Sequence, residues 1–421
     1  MGYWYGTFSR RRNGTGGHFI VNSQNVLTVT NYDEAKEIYR HKDFKQALYD
    51  AGEVVMEGVL VNLHGDEHRA RRRLENRLFR RETLVHYERD LFPQAISETL
   101  EPFVQTGRAE LVTLSHQLMM NLAALNAGVD RPLKTKEETS NLYNFMMKFI
   151  EGATLAHTTR DPAEVTAEIE QAKSEFDTQF LAPSIARRQK LIAEAANGGN
   201  QDLPKDILTE LLKNEDSLHL PHEIILKEIA FFLLAGAHTS ATAFVRTLDN
   251  LFNWLKKHPE DAALITNDKS FVQRAMFETI RLNPSSPTAM RRALSDVTLK
   301  SGTVVPKNST VTIDLMSINR SAEIFGADAN EFDPHRQIST PNVAAWGLSF
   351  GHGMHACIGQ ELAAGLSERS EETSDYEFGL ATVAVQAMFD RKVIADPSQP
   401  AKIDTTTKRP YWGSYHVLFE K

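Results

Sequence analysis

The sequence is poor in cysteine: its 421 residues include only one, Cys357. A single cysteine excludes an internal disulfide, and it excludes a four-cysteine zinc or iron–sulfur site within the chain. The N-terminus also lacks the apolar segment and small-residue cleavage site of a secretory signal. We therefore expect a reducing, cytoplasmic location.

Long apolar runs and an excess of positive charge are absent as well. The most apolar stretch, IAFFLLAGA at residues 229–237, is far shorter than the ~20 residues that span a bilayer. The formal net charge of -8 does not favour a nucleic-acid partner. With 41% hydrophobic and 24% charged residues, the composition is typical of a soluble globular protein rather than a disordered or fibrous one, and we expect neither a membrane nor a nucleic acid as partner.

Helical patterns fill most of the chain. A β-like stretch at 18–30 precedes the amphipathic segment NYDEAKEIYR, and residues 66–257 are mostly helical in pattern. Pro221 precedes a proline-free segment, 222–257, long enough as a helix to cross a whole domain. The β-branched runs at 296–315 predict a small sheet. Because no repeat or low-complexity linker marks a boundary, we expect a single domain over residues 1–421, mainly α with small β-sheets.

Cys357 lies in the glycine-rich segment FGHGMHACIG, residues 350–359. Glycines let a backbone approach a flat group closely, and the following CIGQELAA is typical of a helix that begins at or just after the cysteine. N–H groups at such a helix start would favour a thiolate, which is a metal ligand. Two alternatives are a small buried hydrophobe and a zinc site with His352 and His355, although zinc would need a fourth ligand.

FGHGMHACIG resembles the haem-binding loop of the cytochromes P450, F-G-x-G-x-H/R-x-C-x-G, at every fixed position. The resemblance implies that Cys357 is the axial thiolate of the iron in haem b, iron protoporphyrin IX. It also implies that Phe350 packs near the sulfur, that Gly351 belongs to the haem-binding site and that His355 reaches a propionate. The implied fold is a triangular helical prism with a long central I helix, and the haem lies between that helix and the cysteine loop with its L helix.

Two further segments match motifs of this family in the expected order. Glu278 and Arg281, in FETIR, resemble the E-x-x-R of its K helix, and FDPHR at 332–336 resembles the segment that returns Arg336 to that pair. Taken alone, an E-x-x-R spacing is usually a solvated ion pair. The resemblance implies a structural triad that supports the fold around the haem.

The segment GDEHRARRRLENRLF, residues 65–79, resembles the C helix of the family. The resemblance implies that His68 and Arg72 bind haem propionates, and that Arg291, five residues before Asp296, is a third propionate partner. The remaining arginines of the segment face elsewhere, in part as a solvated charge face, and would attract an acidic electron donor. The solvated charge face includes Arg69, Arg71 and Arg73.

LLAGAHTSA, residues 233–241, resembles the oxygen-activating part of the I helix, A-G-x-D/E-T-T/S. Ala235 and Gly236 would leave room beside the haem, and Thr239 would supply the hydroxyl used in oxygen activation. His238 replaces the customary acid: it either relays protons with an altered pH dependence, or points away to a satisfied partner. A threonine within a helix can also simply bond to a carbonyl one turn back.

The sequence departs from the family at two further places: the N-terminal helix is curtailed or remade, and LSERSEETSDYEF at 366–378 interrupts the L helix as an acidic insertion or an elongated loop. Neither departure includes the implied haem ligands. Segments expected to line a substrate pocket are mostly apolar with some hydroxyls. They are 49–62, 146–159, 285–290, Phe232, Ala235 and the region of Thr406.

The implied function is insertion of one oxygen atom from O2 into a hydrophobic small molecule, by hydroxylation or O-dealkylation of a terpenoid, steroid-like or aromatic compound. Because the chain has neither a fused flavin domain nor ferredoxin cysteines, electrons would come from NAD(P)H through a separate ferredoxin and ferredoxin reductase. Two alternatives are a haem-thiolate enzyme that uses peroxide or does not oxygenate, and a haem-based sensor.

Overall fold

The structure is a computed structural model that describes residues 19–21, 27–199, 202–367, 375–405, 407 and 411–420. Helices dominate, as the sequence predicts. The α-helices of the described residues are α1 (Tyr32–Arg40), α2 (Glu53–Met56), α3 (Gly65–Glu75), α4 (Arg81–His86), α5 (Phe92–Thr106), α6 (Leu111–Ala127), α7 (Lys136–Ala153), α8 (Pro162–Phe176), α9 (Ala182–Ala196), α10 (Ile207–Lys213), α11 (Glu215–Leu218), α12 (His222–Leu255), α13 (Ala262–Asn267), α14 (Lys269–Leu282), α15 (Leu315–Ile318), α16 (Ala322–Phe325), α17 (Gln360–Ala364) and α18 (Leu380–Phe389).

The strands are short. In the described part of the chain they are β1 (Phe19–Val21), β2 (Leu27–Val29), β3 (Phe44–Gln46), β4 (Arg108–Glu110), β5 (Thr288–Ala293), β6 (Val297–Thr298), β7 (Val304–Val305), β8 (Thr310–Asp314), β9 (Val393–Ala395), β10 (Lys402–Ile403), β11 (Trp412–Ser414) and β12 (His416–Phe419). The chain divides into two compact units, residues 1–48 with 277–357 and residues 49–276 with 358–421. That the whole chain forms a single domain stays a prediction.

The first unit is built on a five-stranded sheet in the order β1-β2-β8-β5-β3. β2 pairs parallel with β8, while the other neighbours are antiparallel. Along β8, Val311 and Ile313 are buried and alternate with half-buried threonines, as expected for a strand with one face on a core. The β structure predicted over 296–315 is thus confirmed: β6 and β7 pair with each other in a two-stranded sheet, and β8 belongs to the five-stranded sheet.

Helix α1 packs on the core of this unit. Its N-cap is Asn31, whose side chain accepts the backbone N–H groups of Asp33 and Glu34 at 3.0 Å each. Ala35 and Ile38 are fully buried in the core cluster that includes β8. The amphipathic pattern and acidic start of NYDEAKEIYR therefore gave the correct element.

The second unit surrounds α12, which begins directly after Pro221 as expected and packs against α2, α6, α7 and α18. Its 34 residues correspond to about 51 Å at the rise of an α-helix. By length and composition α12 could cross a membrane, but 67% of its apolar window is buried inside the structure. That burial is what the core helix of a folded unit shows.

The two ends of the acidic insertion lie next to each other. Gly365 and Gly379 both have positive φ, 77° and 84°, and a Cβ added to Gly379 would overlap the backbone of Gly365. The amide of Gln273 donates to the carbonyls of Ala364 and Phe378 at 2.9 and 3.3 Å. The chain is therefore closed on itself at the base of the insertion. Residues 368–374 lie outside the described residues, as do residues 1–18.

A buried charge cluster was not foreseen from the sequence. Arg71 was expected to lie partly on a solvated face, but its side chain is 4% exposed and its Nη1 lies 2.9 Å from Oε2 of the fully buried Glu228. Glu75, also fully buried, lies 3.8 Å from the same guanidinium, and neither of its oxygens has a hydrogen-bond partner among the described residues. Burial, and then the charge of Glu228, raise the pKa of Glu75 well above its ordinary value.

Replacing Glu75 with glutamine is expected to stabilise the protein at pH 8 by about 1–3 kcal/mol, because the neutral amide removes a buried carboxylate charge that lacks hydrogen-bond partners. A carboxyl whose pKa is raised by folding binds more protons in the folded state, so the folded state loses stability as the pH rises from about 4.3 towards the raised value. Glutamine does not titrate. The gain should therefore shrink as the pH falls towards about 5.

Chemical denaturation of the wild type and of Glu75→Gln at pH 5 and pH 8 measures this difference. Glu67→Gln is the matched control, because Glu67 is exposed on the same helix. An equal effect of Glu75→Gln at the two pH values would contradict the account.

Candidate active site

The cysteine loop has a fixed backbone. The N–H of Cys357 donates to the carbonyl of Phe350 at 2.8 Å, which closes the loop, and Gly353–His355 form a 3₁₀ turn inside it. Gly353 has φ 70°, and a Cβ there would lie 2.6 Å from the carbonyl oxygen of Tyr39 at the end of α1. Gly353 thus serves close packing of the loop on α1. Gly351 is needed for its φ of 69° rather than for space.

The side chain of Cys357 is exposed, in contrast to a small buried hydrophobe. The helix expected at or just after it, α17, begins only at Gln360 with Gly359 as N-cap, so helix-start N–H groups lie further along the chain than expected. Across the described residues, no group of three His, Cys, Asp or Glu side chains could hold a metal ion. The zinc alternative therefore has no ligand set there, whereas an exposed thiol suits a haem iron, which needs one protein ligand.

The ring of Phe350 packs edge-on against Trp346, with 5.6 Å between ring centroids, and Trp346 packs in turn on Phe277 at 5.0 Å. His355, at the end of the 3₁₀ turn, is half-buried. Arg291 is buried, and its Nη1 donates to the side-chain oxygen of Gln46 at 2.9 Å, with the guanidinium 4.8 Å from the ring centroid of Tyr39. Arg291 is thus held by the packing of its own unit.

Glu278, Arg281 and Arg336 form one buried network. Arg281 donates to both carboxylate oxygens of Glu278 at 2.7 Å, and Nε of Arg336 donates to the same carboxylate at 2.9 Å. Nη1 of Arg281 also donates to the carbonyls of Asn319 and Ala329, at 2.6 and 2.8 Å. The network ties α14 to the segments that follow β8, so these three residues are brought together as charges with satisfied partners.

In the second unit, α3 carries His68 and Arg72 four residues apart. His68 is buried, and burial followed by the positive charge of Arg72 lowers its pKa to about 4. Arg72 is half-buried, and its Nε donates to the side-chain oxygen of Asn76 at 3.3 Å. An anionic group beside them would offset the positive charge that now disfavours protonation of His68. This donor set suits a carboxylate such as a haem propionate.

The middle of α12 has one uncovered face. Thr239 is exposed and Ala235 is half-buried, although Leu234 and Ala237 are buried. The hydroxyl of Thr239 donates to the carbonyl of Ala235 at 2.7 Å, which is the bond one turn back that the sequence left open. A face of small residues uncovered in the middle of a core helix suits a flat group lying against it.

Gly236 and His238 lie on the side of α12 that packs against α6. A Cβ on Gly236 would lie 3.1 Å from Cβ of Ala123, so this glycine permits close packing of α12 on α6 rather than leaving open space. His238 has a side-chain partner on α6: its Nδ1 lies 3.4 Å from Nε2 of His116. Its ring also meets the ring of Tyr411 edge-on, with centroids 5.3 Å apart. Nothing local in the sequence marks His116 or Ala123 as partners.

A cavity of about 600 Å³ within the second unit lies against the His238 side of α12. Part of the segment 146–159, expected to line a substrate pocket, lines this cavity together with Thr407, whereas Ala235 and Thr239 do not. Thr406 lies outside the described residues. The lining is mixed in character, with hydroxyls, aromatic rings and charges. The polar and aromatic residues of the lining include His116, Tyr143, Arg160, His238, Arg246 and Tyr411.

Comparison with known proteins gives a consistent result. The family profile described as Cytochrome P450 matches residues 13–365. Pulcherriminic acid synthase of Bacillus subtilis (strain 168) is 27% identical over 368 residues, which cover 85% of this chain and 84% of that protein. The solved P450 heme domain of Tepidiphilus thermophilus superposes with a TM-score of 0.71 at 19% identity, covering 95% of this chain and 90% of the other. CYP109E1 of Bacillus megaterium, solved with corticosterone, gives 0.67 at 19% identity over 94% and 93%.

Proposed function

This chain belongs to the cytochrome P450 family of haem b monooxygenases, and we propose that Cys357 is the thiolate that ligates its haem iron. The observation that carries the proposal is the exposed thiol in a loop whose backbone is closed by the bond from Cys357 to Phe350. When bound, the haem supplies the iron chemistry that activates dioxygen. The protein is therefore an oxidoreductase.

We further propose the residues that would hold the haem. His68, Arg72, Arg291 and His355 would neutralise the propionates, because each is a cationic or potentially cationic group. Ala235, Phe350 and Gly351 would supply contact with the ring. Glu278, Arg281 and Arg336 would act as a structural network rather than in the chemistry, since their charges satisfy one another. Thr239 would provide the hydroxyl for oxygen activation once its bond to Ala235 is exchanged.

External electron donors are proposed on the basis of the surface of α3 and the turn after it. Arg73 and Arg80 are exposed, as are Arg69 and Arg77, which pair with Asp66 and Glu210. In a chain of net charge -8, such a local basic surface would attract an acidic partner and raise its association rate. An acidic ferredoxin, reduced by an NAD(P)H-dependent reductase in the cytoplasm, fits this surface.

The proposed substrate is a hydrophobic small molecule that is hydroxylated or O-dealkylated. A titration of the ferric holoprotein with terpenoids, steroid-like compounds and methoxylated aromatics tests this, because a substrate that displaces water from the iron shifts the Soret band. Product is then measured with NAD(P)H, a ferredoxin and its reductase, and in parallel with peroxide alone. Product that requires the electron donors supports the proposal, and product formed only with peroxide, or none from any ligand that binds, contradicts it.

A further inference from the structure

Glu228, near the N-terminal end of α12, holds the chain on both sides of His68. Its carboxylate accepts the backbone N–H of Leu60, at 3.2 Å to Oε1 and 3.1 Å to Oε2. Its Oε2 also accepts from Nη1 of Arg71 at 2.9 Å. Leu60 precedes His68 in the chain and Arg71 follows it. One fully buried side chain of α12 therefore binds both flanks of a proposed propionate partner.

The chain that leads into α3 has no local side-chain cap. Leu60 begins a 3₁₀ turn, Leu60–Asn62, that has no side-chain cap bond from Val59, and α3 begins after His64 without one. The first N–H groups of a helical segment need acceptors from elsewhere. Glu228 supplies an acceptor to the turn from a distant helix, so the place where α3 begins depends on α12.

The bond to Arg71 fixes how α3 is rotated about its own axis. The guanidinium of Arg71 lies 2.9 Å from Glu228 and 3.8 Å from Glu75, one turn further along α3, so the shorter contact is the one between the two helices. Neighbouring residues of a helix point about 100° apart. Holding Arg71 against α12 therefore also fixes the directions of His68 and Arg72.

We propose that Glu228 is a positioning residue for the haem: through Leu60 and Arg71 it holds α3 so that His68 and Arg72 meet the propionates. This inference rests on the proposed function, in which those two side chains neutralise the haem carboxylates. Their placement matters because a charge-assisted bond to a carboxylate depends on direction as well as on charge. Glu228 acts through α3 and is not itself a haem contact.

The test compares Glu228→Gln with Asp249→Asn in the holoprotein. Both variants replace a carboxylate of α12 by an amide of nearly the same size, but Asp249 is near the C-terminal end of the helix, where it accepts from Oη of Tyr415 at 3.0 Å. Burial raises the pKa of Glu228 to about 7, so the comparison is made at pH 8, where the wild-type side chain is mostly ionised.

Transfer of haem to an excess of apomyoglobin measures how fast each protein loses haem, without turnover. Glu228→Gln should lose haem about tenfold faster than the wild type, the lower end of the effect of removing a residue that orients a ligand. Its propionate bending bands in resonance Raman spectra should also shift. Asp249→Asn should match the wild type in both measurements.

A double variant separates positioning from general destabilisation. Glu228→Gln alone leaves the buried guanidinium of Arg71 without its closest carboxylate, which costs stability. Arg71→Met combined with Glu228→Gln removes both charges, so thermal unfolding should show that most of the lost stability returns. The double variant should nevertheless lose haem as fast as Glu228→Gln, because the bond that holds α3 to α12 is still missing.

Haem loss and Raman bands of Glu228→Gln equal to those of Asp249→Asn would overturn the inference. A double variant that regains wild-type stability and wild-type haem retention together would also overturn it, since haem loss would then only follow stability. If the double variant does not fold, the Raman bands of Glu228→Gln decide. Failure of the proposed function is distinct, because the wild type would then lack a haem-thiolate spectrum. A wild type with that spectrum and an insensitive Glu228 refutes this inference alone.

Discussion

Cys357→Ser is expected to remove the thiolate signature of the haem and to lower turnover by at least about a hundredfold. Removal of a residue that only orients a metal ligand lowers metal affinity or activity about 10–100-fold, so removal of the ligand itself should lower activity at least as much. The chain holds no second cysteine that could take over. The measurement is the carbon monoxide difference spectrum of the ferrous protein, followed by product formation with electron donors.

Because the backbone of the loop is held by the bond from Cys357 N–H to Phe350, serine should leave the loop conformation intact. Met354→Leu, in the same loop and without a proposed haem contact, is the matched control and should keep the wild-type spectrum. A Cys357→Ser protein with an unchanged thiolate band would show that another group ligates the iron.

Arg281→Ala should destabilise the protein by about 3–5 kcal/mol, the cost of leaving one partner of a buried ion pair uncompensated. Its side chain is fully buried and binds Glu278 through two nitrogens, while Nη1 satisfies two backbone carbonyls. Alanine would remove the donors that Arg281 supplies to Oε2 of Glu278 and to the two carbonyls, and would leave Arg336 as the remaining guanidinium on Glu278. Since domains are stable by only about 5–15 kcal/mol, poor soluble yield and poor haem incorporation are expected.

Arg281→Lys should recover only part of the loss, because an ammonium group cannot make the bidentate pair. Arg274→Ala is the control on the same helix, since the Arg274 side chain is 38% exposed and 3.5 Å from Asp268. Thermal unfolding and the haem-to-protein ratio measure the outcome. An Arg281→Ala protein with the stability of Arg274→Ala would contradict a structural role for the network.

Local signals in the sequence predicted the elements they belong to. Asn31 caps α1, Pro221 precedes α12, and the acidic insertion interrupts the helical path where the pattern changes. The family's motifs likewise grouped Glu278, Arg281 and Arg336, and these three side chains form one hydrogen-bonded network. These features depend on neighbours in the chain or on a motif of fixed order.

What escaped the sequence depends on pairing across long separations. Arg71 and Glu228 are 157 residues apart, and only the presence of a charge inside the apolar run before Ala235 could have flagged Glu228. His116 and His238 are separated by 122 residues on two different helices. The sequence suggested that Gly236 leaves open space. Its contact with Ala123 could not be predicted, because it depends on how α12 crosses α6.

A monooxygenase inserts an oxygen atom from O2 into its substrate. The most direct measurement is turnover under ¹⁸O2, with NAD(P)H, a ferredoxin and its reductase, of a compound that shifts the Soret band, followed by mass spectrometry of the product. The account predicts one ¹⁸O atom in each hydroxylated product. For an O-dealkylated substrate, it predicts the label in the released carbonyl fragment, read before exchange with water. Product that carries oxygen only from water, or that forms equally well without O2, would contradict it.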